Sequence, residues 1–181
     1  YNSDNQLGIF SDCESLSDIS GLSNWNTSSV TIMTNMFYNC RSLSDITPLS
    51  GWDVSSVSKM DRMFYNCVSL NNVDGLSKWN TDALSLIDDM FYNSGITNVD
   101  GLSNWNISCI KHLWSVFEYS KNLTDINGLS GWDFSNVTDI RALFDGTSIK
   151  DGSVAKNWNL SNVSYYAQKL FPYGLEKVGI P

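Results

Sequence analysis

Apolar and polar positions along this chain repeat with a period of 26 or 27 residues. Phe10, Phe37, Phe64, Phe91, Phe117, Phe144 and Phe171 mark one register, and Trp25, Trp52, Trp79, Trp105, Trp132 and Trp158 mark a second. Two rare aromatics in matched registers define a repeat array, because a unit this small cannot bury its own apolar side and needs its neighbours to cover it. Within a unit, Val57, Met60, Phe64 and Cys67 fall at spacings of three and four, as do Val30, Met33, Phe37 and Cys40. That spacing predicts one face of a short helix. Ser55 heads it, with Ser28, Asp82, Ser108, Ser135 and Ser161 in the same slot, and all are good N-cap residues. Asn66 closes it, matched by Asn39, Asn93 and Gly146, which tolerate the left-handed conformation. Leu70, Val73 and Leu76, spaced by three, then predict an extended stretch with its apolar side inward. Ahead of the helix, Asp53 and its counterparts Asn26, Asn80, Asn106, Asp133 and Asn159 offer side-chain carbonyls that can tie down a turn. Gly75, Gly101 and Gly128 are read as residues that permit tight bends.

These elements predict an α/β architecture of about seven coils, each a short extended segment plus a short helix, in a single array over residues 1–181. Parallel pairing through a helical connection predicts a right-handed solenoid, rising about 5 Å per coil. The two ends depart from the pattern. The coil before Phe10 lacks the full helix spacing, and Pro172, Tyr173 and Gly174 replace the last helix end. Atypical ends suit caps that shield an open core, or the margins of a longer array.

The strings WDVSSVSKMDRMFYNCVSL and WNTSSVTIMTNMFYNCRSL resemble the repeat of about 26 residues found in BspA-like leucine-rich-repeat proteins of bacterial surfaces. The likeness is cleanest from Trp25 to Cys67. Further on, Ser94, Ser120 and Thr147 replace Cys, and Ile87, Leu113 and Ile140 replace the first Met. The resemblance implies a leucine-rich-repeat-like fold in a secreted or surface-anchored protein, often an adhesin or host-interaction factor. It brings no catalytic residues and fixes no ligand.

Composition narrows the function classes. The 181 residues are 42% hydrophobic and 17% charged, enough to fill a core, and the net charge is −8. No Lys/Arg cluster is present, which argues against a nucleic-acid partner or an anionic membrane surface. No apolar run approaches the length of a transmembrane span. Tyr1 opens directly onto polar residues, as expected of a mature or excised segment.

Candidate chemistry is sparse. Cys13, Cys40 and Cys67 share one slot and Cys109 stands apart, with no Cys-x-x-Cys pair, so they are expected to pack as small hydrophobes rather than bind zinc. The Trp row is expected to pack as a wall rather than form a sugar-stacking stripe. Asp18, Asp45 and Asp125 share a slot with Asn72 and Asn98, and Asp74 and Asp100 share another. Such rows could attract calcium or a basic partner, but the interleaved amides point to a solvated face. His112, the single histidine, occupies a variable slot with Lys59 and Asp139 and is expected to be exposed. The Asn-x-Ser/Thr sequons from Asn26 onward arise from the repeat itself. No catalytic set, cofactor or metal site is expected. The strongest candidates for contact with a partner are Tyr38, Tyr65 and Tyr92, which follow the Phe on three consecutive coils, and Trp114, which stands in a slot otherwise held by Thr34, Asp61, Asp88 and Arg141. Later coils place Glu118, Asp145 and Pro172 in the Tyr slot, so packing does not demand an aromatic there. The expectation is an extracellular binding or adhesion module for a host or cell-surface protein or glycan. The alternative is a structural spacer within a larger surface protein.

Overall fold

A computed structural model describes residues 7–164 and Leu170. Phe171 and the ending at Pro172, Tyr173 and Gly174 lie outside the described residues.

The expected α/β leucine-rich-repeat-like solenoid is not what the chain forms. Among the described residues the helical elements are 3-10 turns of three to five residues: Ser20–Asn24, Thr47–Gly51, Asp74–Leu76, Asp100–Leu102, Asn127–Leu129, Phe134–Asn136 and Ser153–Asn157. No sheet forms among them either. Strand pairing is confined to isolated parallel bridges, Ile32 to Lys59, Lys59 to Leu86 and His112 to Asp139. The segment read as a helix fails for a local reason. Arg62 has φ 56° and Asn66 φ 59°, and the same two slots are left-handed at Asn35 and Asn39, Asp89 and Asn93, and Ser115 and Tyr119. An α-helix needs φ near −63° at every residue, so two left-handed residues per coil exclude it. Ser55 is accordingly no helix cap: its N–H and hydroxyl both donate to Asp53 Oδ1, at 3.0 and 2.6 Å.

What the left-handed residues accomplish is visible in the backbone bonds. Met33, Asn35, Phe37 and Asn39 donate their N–H groups to the carbonyls of Lys59, Asp61, Met63 and Tyr65 at 2.8–3.0 Å. Met60, Arg62, Phe64 and Asn66 donate in turn to Leu86, Asp88, Met90 and Tyr92. The intervening N–H groups of Met36, Tyr38 and Cys40 bond within their own coil to the residue three back. Every second N–H therefore ties a coil to the next, and the rest close tight turns, so the buried backbone is satisfied without helix or sheet. Flanking loops bond in the opposite sense, as where Ser58 N–H reaches Thr31 and Ser85 N–H reaches Ser58.

The stack is held from inside by three rows. Phe37, Phe64, Phe91, Phe117 and Phe144 are fully buried, and consecutive rings stack with centroids 5.5–5.7 Å apart. The Trp row staples coil to coil: the indole N–H groups of Trp52, Trp79, Trp105, Trp132 and Trp158 donate to the carbonyls of Leu22, Leu49, Leu76, Leu102 and Leu129 at 2.9–3.2 Å. The Cys slot supplies the third. Cys40 and Cys67 thiols donate to the Phe10 and Phe37 carbonyls, and the Ser120 hydroxyl donates to Phe91 in the same way. Cys, Ser and Thr interchange there because the slot calls for a small side chain that can donate. The tight bends expected at Gly75, Gly101 and Gly128 have a different cause. A Cβ on these residues would lie 2.2, 2.0 and 2.6 Å from the carbonyl oxygens of Ile46, Val73 and Val99 in the coil below. Glycine is there because neighbouring backbones touch.

Candidate functional site

Tyr38, Tyr65 and Tyr92 emerge beside the buried Phe row, one per coil, and all three are half-buried. Their rings form a ladder, with centroids 4.8 Å apart for Tyr38–Tyr65 and 4.5 Å for Tyr65–Tyr92, at interplanar angles of 13° and 1°. Tyr119, from the Asn slot of the next coil, closes the ladder edge-on against Tyr92 at 5.5 Å. The inner ring faces are therefore taken by one another, and what the row offers outward is ring edges and hydroxyls. Burial, followed by the neighbouring Tyr92 and Tyr38, lifts the Tyr65 phenol to about 12, so it stays a neutral hydrogen-bonding group at any ordinary pH. Beside it runs an amide ladder in which Asn66 Nδ2 donates to Asn39 Oδ1 and Asn93 Nδ2 to Asn66 Oδ1, both at 2.6 Å.

Trp114 is also half-buried, and it belongs to a second patch. His112 stacks against its ring at 4.8 Å, and the Arg141 guanidinium lies 4.2 Å from the ring centroid. Arg141 also pairs with Asp139 at 2.9 Å. His112 is thus half-buried against Trp114 rather than freely exposed as expected. The Trp114 Nε1 atom is buried with no acceptor among the described residues, an uncommon state for a buried N–H.

A strip of carboxylates joins the two patches, and sequence reasoning did not single it out. Asp88 Oδ1 accepts the Trp114 backbone N–H at 3.0 Å, and Asp61 Oδ1 accepts the Thr34 hydroxyl at 2.7 Å. Asp89 pairs with Arg62 at 3.0 Å and also acts electrostatically on Tyr65 and Tyr92. Burial raises the Asp89 carboxyl more than the Arg62 guanidinium lowers it. Asp88 is lifted furthest, to about 7: burial comes first, the Trp114 N–H opposes it, and the charges of Asp89, Asp61 and Asp139 add to it. The signal available in the sequence was the adjacency of Asp88 and Asp89 in slots facing Asp61 and Arg62 one coil earlier.

A raised carboxyl makes stability depend on pH with a definite sign. Between pH 4 and 7 the folded protein keeps a proton on Asp88 that the unfolded chain has released, so stability falls as pH rises through that window and levels off above it. Asp88→Asn keeps the acceptor for Trp114 and removes the titration. The variant should be more stable than the parent by about 1–2 kcal/mol at pH 8, a figure set below the full shift because the half-buried group is screened by solvent. At pH 4 the difference should vanish. Equal thermal midpoints for the two proteins at pH 8 would contradict this account.

The other sequence candidates have structural duties. Asp18, Asp45, Asn72, Asn98 and Asp125 each accept the N–H two residues ahead, at 2.8–3.2 Å, which explains why Asp and Asn interchange in that row. Backbone hydrogen bonds of this kind hold the carboxyls of Asp18, Asp133 and Asp151 below their ordinary value. Cys40 and Cys67 are buried, whereas Cys13 and Cys109 are exposed. Burial pushes the Cys40 thiol up to about 11 and Cys67 higher still, so both remain protonated.

These features define a repeat-array protein built from tight turns, with one lateral face on which the repeat is broken. The chain belongs to the family described as Mycoplasma protein of unknown function, DUF285, which matches residues 5–125 and 94–173. No curated protein matches it. Among the described residues no helix is long and apolar enough to cross a membrane.

Proposed function

We propose that this chain is a non-catalytic binding module acting outside the cell, which docks a host or cell-surface protein on the face carrying Tyr38, Tyr65, Tyr92 and Trp114. The observation that carries this reading is the contrast between rows. Slots held by packing repeat along the stack, whereas the Tyr and Trp114 slots are half-buried to exposed and change character along it, from Tyr38, Tyr65 and Tyr92 to Glu118 and Asp145, and from Thr34, Asp61 and Asp88 to Trp114 and Arg141. Half-buried Tyr and Trp give large contact area at low entropic cost, which is why they anchor interfaces. A protein partner is favoured over a glycan because sugars stack on aromatic faces, and here the inner Tyr faces are covered by one another. The carboxylate strip of Asp61, Asp88 and Asp89 suits a partner that brings basic side chains. The extracellular setting rests on the resemblance to BspA-like surface repeats, to which this family is related.

The test is a binding screen of the intact array against panels of host-matrix proteins and glycans. A protein ligand should emerge, and Tyr65→Ala should weaken it by about 1–2 kcal/mol, with Trp114→Ala similar. Clean negatives across both panels would favour a structural spacer. A ligand whose affinity ignores both substitutions would place docking on another face.

A further inference from the structure

The lateral face shows twice how it holds a cation. Arg62 bonds Asp89 of the next coil at 3.0 Å, with Tyr38 near enough to act on its charge. Arg141 lies 4.2 Å from the Trp114 ring centroid and pairs with Asp139 at 2.9 Å. In each place a guanidinium has an aspartate on one side and an aromatic side chain nearby. Asp88 sits in the same strip without a cation. Its side chain accepts only a neutral donor, the Trp114 backbone N–H at 3.0 Å. The charges that act on its carboxyl are all negative: Asp89 in its own coil, Asp61 in the coil before and Asp139 two coils on. The cations around it are engaged or turned outward. Arg62 is held by Asp89, Arg141 by Asp139 and Trp114, and Lys59 is exposed to solvent. The remaining titratable neighbour, His112, stacks on Trp114. Asp88 is half-buried, so part of its carboxyl stays open beside Trp114.

We propose that docking on the lateral face is proton-linked through Asp88: a basic side chain of the partner polypeptide seats against this carboxyl beside Trp114 and displaces its proton. The inference rests on the reading of this face as the docking surface and names its regulation. Charge complementarity selects the occupant. When Asp88 ionises it becomes a half-buried charge surrounded by charges of its own sign, and an arriving cation supplies the compensation that the chain does not. Burial and the three carboxylates hold the proton on Asp88 up to about 7. Below that pH the group is neutral and attracts no cation. Above it the carboxylate is free to pair. A ligand that prefers the ionised form must drive the proton off, so binding tightens as pH rises through this window and then levels off. A partner without a basic group at this point gains nothing from Asp88, and its binding carries no such slope.

The probe is the capped peptide acetyl-Gly-Arg-Gly-amide, with the citrulline peptide as its neutral twin. Each is titrated into the intact chain while the Asp88 carboxyl carbon is followed by NMR. At pH 8 the arginine peptide should move this signal saturably, and at pH 5 it should bind at least about fivefold more weakly. Asp88→Asn keeps the acceptor for Trp114, and this variant should bind the peptide at pH 8 no better than the parent does at pH 5, with no pH dependence of its own. His112→Gln, which removes the other titratable group on Trp114, should leave the dependence in place. An unmoved Asp88 signal, equal binding of the citrulline peptide, or a pH dependence that survives Asp88→Asn overturns the proposal. The two readings of the face fail separately. A host protein whose affinity falls with Tyr65→Ala, yet is the same for Asp88→Asn and flat with pH, keeps the docking surface and overturns the proton linkage. Asp88-dependent peptide binding with no protein ligand in the screen does the reverse.

Discussion

Truncating Phe64 to alanine should destabilise the protein by about 3–5 kcal/mol, the usual cost of a phenyl-sized cavity in a core that cannot collapse around it. Phe64 has no exposed surface, and its ring is stacked between Phe37 at 5.6 Å and Phe91 at 5.7 Å. The coils on either side are fixed by backbone bonds, so they cannot close the gap without breaking them. In a linear stack each coil touches only its neighbours, so the loss should also uncouple the two halves of the array. Urea unfolding followed by fluorescence should show an earlier and broader transition than the parent. Tyr65→Ala, one residue along, removes a half-buried ring and should cost far less. Similar losses for the two variants would mean that the Phe row is not the axis of stability.

Adding one methyl group at Gly101 should do comparable harm. Its Cβ would sit 2.0 Å from the Val73 carbonyl oxygen, deep inside contact distance and against backbone that cannot rotate away. Coil and turn would have to lift apart, at a cost of about 1–3 kcal/mol or more for overpacking. Pro48 occupies the equivalent slot two coils earlier, where the turn Thr47–Gly51 is five residues long instead of three. The slot thus admits a side chain only with a longer turn. Gly21→Ala is the matched control: it has open space and should change stability by no more than about 0.5 kcal/mol. A neutral Gly101→Ala, measured by calorimetry beside that control, would sink the close-approach explanation.

The same residues show what could be read from the sequence. The period, the buried Phe row and the wall of Trp residues were legible because burial in a stack forces the same residue type into the same slot. The turn carbonyls at Asp53 and Asn80 were legible for a similar reason, since a short side-chain acceptor two residues before an N–H has a recognisable chemistry. The helix was misread. Val57, Met60, Met63, Cys67, Leu70, Val73, Leu76 and Trp79 are all buried. Apolar residues about three apart around the whole coil are what a chain of tight turns produces. Over a dozen residues that spacing is close to a helical stripe, and only the left-handed Arg62 and Asn66 separate the two. Arg at such an angle leaves no trace in a sequence. The glycine slots read as bends because their true constraint, a carbonyl from 28 or 29 residues earlier, is not local. On the lateral face the Tyr row and Trp114 stood out as aromatics in slots that change. The carboxylates beside them did not, because an aspartate in a polar slot looks the same whether or not it is buried.

The one-way backbone bonds of the Phe segment give the molecule a grammar of assembly. In that segment each coil speaks to the next with N–H groups and listens to the one before with carbonyls. The two faces of each described coil are consequently chemical opposites along this segment, one presenting acceptors and the other donors. An ordinary β-strand edge alternates both kinds and can pair with another copy of itself. Here two like faces would bring acceptor against acceptor and form nothing. A coil inserted into or removed from the middle of the stack meets the same donor and acceptor rows as its neighbours, so evolution or a protein engineer can change the repeat number in steps of one coil without creating a self-complementary surface.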